Sequence, residues 1–131
     1  MLQRLVTCNG CFNGLHAGHL FYLGYAAAQG THLIVGINDD PYIRRVKNVD
    51  PIPAAARKSA LEALGFISKV HVFSRGQRDP CAFIEQFRPA VHCIGAEYLG
   101  VAAELETCIG LGVQIVWVPR VGPWSTSGAS A

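Results

Sequence analysis

The strongest constraint on this chain's fold is a repeated change of period. Short β-branched runs alternate with longer stretches whose apolar residues recur at helical spacing. Leu5-Val6-Thr7-Cys8 reads as a first strand and His32 to Ile37 (HLIVGI) as a second. Val70-His71-Val72-Phe73, Val91 to Ile94 and Val113 to Val118 read as the third, fourth and fifth. Between them, Ala17 to Gln29 suits a helix with Leu20, Leu23 and Ala27 on one face and Gly30 as its stop. A loop is expected over Asn38 to Pro53, then a helix over Ala54 to Leu64. Asp79-Pro80 starts a third helix, an N-cap followed by proline in the first turn, and Arg88-Pro89 ends it after Phe87. Residues near Val101 to Ile109 form a fourth. HLIVGI is apolar almost throughout, as a strand covered on both faces must be. Five strands linked by four crossover helices imply a five-stranded parallel sheet with helices on both faces. Right-handed crossovers make it a single doubly wound, Rossmann-like α/β domain over residues 1–131.

Composition agrees. At 131 residues the chain can bury about two-thirds of its unfolded surface without disulfides or a structural metal. Its net charge of +2 is too balanced for a dedicated nucleic-acid binder. Only 15% of residues are charged, below the quarter or so of a typical domain, so a second copy of the chain is expected to cover some apolar surface. No signal peptide and no run of about 18 apolar residues is visible, so no membrane partner is expected. Five cysteines, an odd number, read as reduced thiols of a cytoplasmic protein.

In a doubly wound sheet, ligands bind beyond the carboxyl ends of the strands, where the strand order reverses. The loop after the first strand is Gly10-Cys11-Phe12-Asn13-Gly14-Leu15-His16-Ala17-Gly18-His19. Histidines three apart at a helix start share a face. The first helical turn adds unpaired N–H groups and the positive end of the dipole, a site that suits phosphate. Gly18 removes a side chain where an anion must approach, and Gly10 lets the chain pass close to a nucleotide. Cys8-Asn9-Gly10-Cys11 with the two histidines also writes a short-spaced Cys2His2 zinc set, or a redox pair, although Cys8 should lie in the sheet.

This loop resembles the G-T-F-D-x-x-H-x-G-H motif of the cytidylyltransferase-like nucleotidyltransferases, and the likeness covers nearly the whole chain. The first half is most similar to the nucleotidyltransferase domain of ADP-heptose synthases. The length, and Pro119-Arg120 followed by Ser125-Thr126-Ser127, are more similar to glycerol-3-phosphate cytidylyltransferases. The resemblance implies transfer of a nucleoside monophosphate from CTP or ATP, with Mg²⁺ on the triphosphate, to a small sugar or polyol phosphate, releasing pyrophosphate.

The resemblance also implies roles. His16 and His19 hold the triphosphate, and Lys47 and Arg120 join them as catalytic residues. Gly10, Cys11, Phe12, Asn13, Gly18 and Arg57 contact the nucleotide, with Arg57 near the phosphates. Gly95-Ala96-Glu97-Tyr98 stands where the family has G-[GD]-D-[YW], which puts Gly95, Glu97 and Tyr98 beside the base. Ser125, Thr126 and Ser127 close over the nucleotide. Arg44, Arg45 and Trp124 are candidates for the acceptor. No resident metal ligand is implied, and a homodimer is expected.

Two departures are visible: Asn13 replaces the motif's aspartate, and five residues follow Thr126, where family members continue into a helix. Both leave open a non-catalytic nucleotide-binding or assembly protein. His71, His92 and Trp117 fit strand patterns and are expected to pack.

Overall fold

A computed structural model describes residues 2–73, 80–96 and 104–120. Its five strands are β1 (Leu5–Gly10), β2 (His32–Ile37), β3 (Lys69–Val72), β4 (Val91–Gly95) and β5 (Gln114–Val118). Five helices connect them: α1 (Ala17–Ala27), α2 (Asp40–Lys47), α3 (Ala54–Glu62), α4 (Cys81–Phe87) and α5 (Leu105–Leu111). The sheet is wholly parallel in the order β3-β2-β1-β4-β5, so the strand order reverses between β1 and β4. The expected α/β doubly wound architecture is the observed one.

The largest difference from the sequence reading is α2, which occupies the middle of the expected loop. Asp39 caps it by accepting from the Tyr42 N–H at 3.0 Å, Pro41 sits in its first turn, and Asn48 ends it in the left-handed region at φ 56°. Asp40 at the start and Arg44, Arg45 and Lys47 at the end complement the helix dipole. An aspartate followed by a proline is also the signal expected to start α4, but α2 is short and its apolar stripe is little more than Ile43, the one buried residue of the eight. β1 runs two residues past Cys8, because Asn9 and Gly10 continue the ladder opposite Gly36 and Ile37. Pro80 stands at the N-cap position of α4 without a side-chain cap bond, the expected cap Asp79 lies outside the described residues, and α5 starts at Leu105.

Alternation along the strands builds a core on each face. Val6, Cys8, Leu33, Val35, Ile37, Val91 and Cys93 meet Leu23 and Ala26 of α1 and Leu61 of α3. Ile34 and Phe73 meet Phe83 and Ile84 of α4 and Cys108 of α5 on the other face. His92 is fully buried there, its Nδ1 2.8 Å from Thr7 Oγ1 and its Nε2 3.4 Å from Glu104 Oε1, so it packs as a hydrogen-bonded polar group. His71 stacks on Phe83 with ring centres 5.7 Å apart. Trp117 is only half-buried on the edge strand β5, a correction to its expected core position.

All five cysteines are buried and no disulfide joins them. Burial raises the Cys8 thiol well above its ordinary range and pushes Cys93 up to about 12. No described helix is long and apolar enough to cross a membrane.

Gly36 marks the tightest place in the second core. A Cβ there would stand 2.7 Å from the Phe73 ring and 3.2 Å from Phe83, both rings being almost wholly enclosed. Gly36→Ala is expected to lower stability by about 1–3 kcal/mol, the usual range for an overpacked core. Denaturant unfolding measures it, and an unchanged midpoint would mean that the aromatic cluster yields freely.

Candidate functional site

The reversal of strand order places the carboxyl ends of β1 and β4 side by side, with the loop from Cys11 to His16 leading into α1. His16 is the N-cap of that helix, in an extended backbone conformation. Its Nδ1 accepts from the backbone N–H groups of Gly18 (3.0 Å) and His19 (3.3 Å). The His19 Nδ1 in turn accepts from the His16 N–H at 3.2 Å. The two side chains thus form a reciprocal capping box, built from imidazoles where Ser or Thr and Glu or Gln are usual.

This fixes the chemistry of both rings. A nitrogen that accepts from an N–H carries no proton, so each neutral imidazole holds its proton on Nε2 and offers an Nε2–H donor. The rings stack with centres 3.7 Å apart and planes 19° from parallel, so the donors lie side by side. His16 Nε2 is buried without a protein partner among the described residues, an orphan that a ligand oxygen would satisfy. One expectation is corrected. The Gly18 and His19 N–H groups are not open to an anion, because the His16 ring already takes them.

The approach to this pair is held in an uncommon conformation. Phe12 has φ 48°, which costs a residue with a side chain on the order of 1–3 kcal/mol. The gain is the placing of its buried ring edge-on against His19, with centres 5.3 Å apart. Gly10 leaves room for that ring, since a Cβ there would be 3.0 Å from it; the expected close approach is made by Phe12. The Tyr22 hydroxyl donates to the Cys93 carbonyl at 3.1 Å and ties α1 to β4 across the reversal point.

Arg57 lies behind the loop with its side chain 1% exposed. Its Nε donates to the Ile52 carbonyl (2.7 Å), and one terminal nitrogen donates to the carbonyls of Cys11 (3.0 Å) and Asn38 (2.7 Å). The other pairs with the Asp40 carboxylate at 2.7 Å. The guanidinium expected beside phosphate is therefore engaged by the protein. Asp40, Asn38 and Ile52 were not visible as partners, because nothing in the sequence links them to a residue on α3. Asn13 has a related task, its Oδ1 accepting from the Ile52 N–H at 2.7 Å.

Other candidates fall nearby or apart. Lys47 ends α2 close enough to Cys11 for its charge, with that of Arg57, to oppose the upward push of burial on that thiol. Arg44 is exposed and pairs loosely with Asp50 at 3.8 Å, while Arg45 lies over the Tyr42 ring at 5.6 Å. Gly95 is the buried last residue of β4, opposite Val118 of β5, and Arg120 is exposed just beyond β5. Glu97, Tyr98, Trp124, Ser125, Thr126 and Ser127 lie outside the described residues. Cys8 belongs to the core under α1 and α3, not to the loop that carries the histidines.

Residues 7–117 match the cytidylyltransferase-like family. The chain is 44% identical over 98 residues to the bifunctional protein HldE of Pseudomonas aeruginosa strain PAO1, which covers 73% of this chain and 20% of that protein. It is 40% identical over 100 residues to HldE of Campylobacter curvus, covering 75% of this chain and 21% of the relative. The chain thus spans about a fifth of the length of these relatives. Among solved structures, a lipopolysaccharide core biosynthesis protein from Thermoplasma volcanium superposes with a TM-score of 0.76 at 21% identity, over 92% of this chain and 99% of that one. A pantoate-beta-alanine ligase from Francisella tularensis, solved with a β,γ-ATP compound and β-alanine, gives 0.61 at 14% identity, over 92% and 61%. The family match over residues 7–117, read with the paired histidines that open α1, establishes that this chain belongs to the cytidylyltransferase-like nucleotidyltransferases.

Proposed function

We propose that this domain transfers a nucleoside monophosphate from a magnesium–nucleoside triphosphate complex to the phosphate of a small sugar or polyol, releasing pyrophosphate. The observation that carries this reading is the pair of stacked imidazoles whose Nδ1 atoms are bound to backbone N–H groups, which turns both Nε2–H groups into fixed donors. Fixed donors suit phosphoryl oxygens on which charge develops, and need no reorganisation during the reaction.

The attacking group is an acceptor phosphate oxygen, already anionic, so neither a covalent intermediate nor a strong base is required. The oxygen adds to the α-phosphorus as the bond to the bridging oxygen breaks, and pyrophosphate leaves with that electron pair. His16 and His19 donate to the phosphoryl oxygens, while Lys47 and Arg120 supply positive charge from α2 and from beyond β5. Magnesium arrives with the triphosphate as part of the substrate. The resemblance of the first half to ADP-heptose synthases favours ATP as donor; the Arg120 to Ser127 spacing favours CTP. Exposed Val46, Val49, Ile52 and Phe66 are apolar surface that a second subunit of the proposed homodimer would cover.

Asn13 is the main argument for a non-catalytic relative. Its Oδ1 performs the acceptor role at Ile52 that a carboxylate would perform, so the loop keeps its geometry without the charge. This favours the active reading.

Pyrophosphate release from ATP or CTP across a panel of sugar and polyol phosphates tests the proposal, and nucleotide binding without turnover on any of them would contradict it. His16→Asn keeps an oxygen able to cap α1 but deletes the Nε2–H donor; its turnover is expected to fall by about 10²–10³ with little change in melting temperature. His16→Ala is expected to lose a further 1 kcal/mol or so of stability with the cap. Near-normal turnover in His16→Asn would remove the donor role. Long-range ¹H–¹⁵N spectra at neutral pH are expected to show both rings in the Nε2–H form, and an Nδ1–H signal from either would contradict the capping box.

A further inference from the structure

We infer that Arg57 is a positioning residue for the histidine pair, acting through Phe12, and that it does not bind the nucleotide. The kinetic part of this inference rests on the nucleotidyl-transfer reading; its structural part does not.

Arg57 joins four segments: the motif loop through the Cys11 carbonyl, the end of β2 through the Asn38 carbonyl, the start of α2 through Asp40, and the approach to α3 through the Ile52 carbonyl. The peptide bond is planar, so anchoring the Cys11 carbonyl fixes the plane of the amide that leads into Phe12. Phe12 is the next residue and sits in the left-handed region, which its own side chain disfavours. Its ring touches His19, and His19 stacks on His16. The sequence of contacts from guanidinium to carbonyl, constrained amide, aromatic ring and catalytic imidazoles is continuous.

A planar fork is needed for this task. One terminal nitrogen serves two carbonyls while Nε and the other nitrogen reach acceptors on different sides, a set that a lysine ammonium cannot reproduce. The side chain is almost fully enclosed and four of its N–H bonds already have acceptors. Without displacing protein groups a phosphate could reach at most the fifth N–H, so the fork cannot serve as a bidentate phosphate clamp.

The test is Arg57→Lys, which retains the charge and loses the fork, compared with Phe12→Leu, which retains Arg57 and removes the ring. In both folded variants the His19 ring resonances are expected to shift. With the best nucleotide and acceptor, kcat is expected to fall by about 10- to 100-fold, the scale of a small misplacement of catalytic groups, while nucleotide affinity changes less than about threefold. Arg57→Lys combined with His19→Ala should be no slower than His19→Ala alone, because residues acting as one unit are not additive.

Unmoved His19 resonances in a folded Arg57→Lys protein would overturn the inference. So would lost nucleotide affinity with kcat retained at saturation, the mark of a direct phosphate ligand. Should Arg57→Lys fail to fold, Phe12→Leu decides alone, and unchanged ring resonances or unchanged kcat there would also overturn it. A wild-type chain without turnover would remove the transfer reading, and the resonance comparison would still decide the role of Arg57.

Discussion

Two imidazole nitrogens close the amino end of α1, and the chemistry of the site depends on that closure. A helix start exposes N–H groups that must find acceptors, and the usual solution is a serine, threonine or aspartate oxygen. Here His16 accepts two of them and His19 accepts the N–H of His16 itself. The caps are also the groups proposed to hold the triphosphate. Satisfying the backbone determines which nitrogen of each ring bears the proton, and so converts a structural requirement into two aligned donors. Under the proposed reading the dipole would act on a ligand through the rings, because the Gly18 and His19 N–H groups are already taken.

Around that closure the loop is over-determined. Phe12 is held against its conformational preference, Gly10 makes space for its ring, Asn13 fastens the loop to Ile52, and Arg57 binds its carbonyl side. The buried Arg57 guanidinium is paired with the partly exposed Asp40 carboxylate and makes several further hydrogen bonds, the condition under which a buried charge is tolerated. The sheet supplies the frame: parallel strands, a core on each face and a reversal of order between β1 and β4. Tyr22 on α1 fastens that frame across the reversal through the Cys93 carbonyl.

Much of this was legible in the sequence. The buried run HLIVGI and the alternation of strands and helices led directly to the fold, and the two histidines bracketing Gly18 led to the loop proposed to carry its chemistry. Period and punctuation report local structure well when a segment has a clear apolar stripe. α2 escaped because it has almost none, although its caps were readable at Asp39 and Asn48. The burial of Arg57 and the acceptor role of Asn13 were not readable, since both arise from contacts between segments distant in sequence. The capping box was also hidden: histidine is not a usual capping residue, so the positions looked like open donors and proved to be closed ones.

The most direct test of the account is a crystal structure of this chain with magnesium and a non-hydrolysable nucleoside triphosphate. The account predicts phosphate oxygens within hydrogen-bond distance of Nε2 of both His16 and His19, with the three Nδ1 bonds of the cap intact. Phosphate seated directly on the Gly18 and His19 N–H groups, with the His16 ring swung away, would contradict it. A triphosphate bound elsewhere on the domain would contradict it equally.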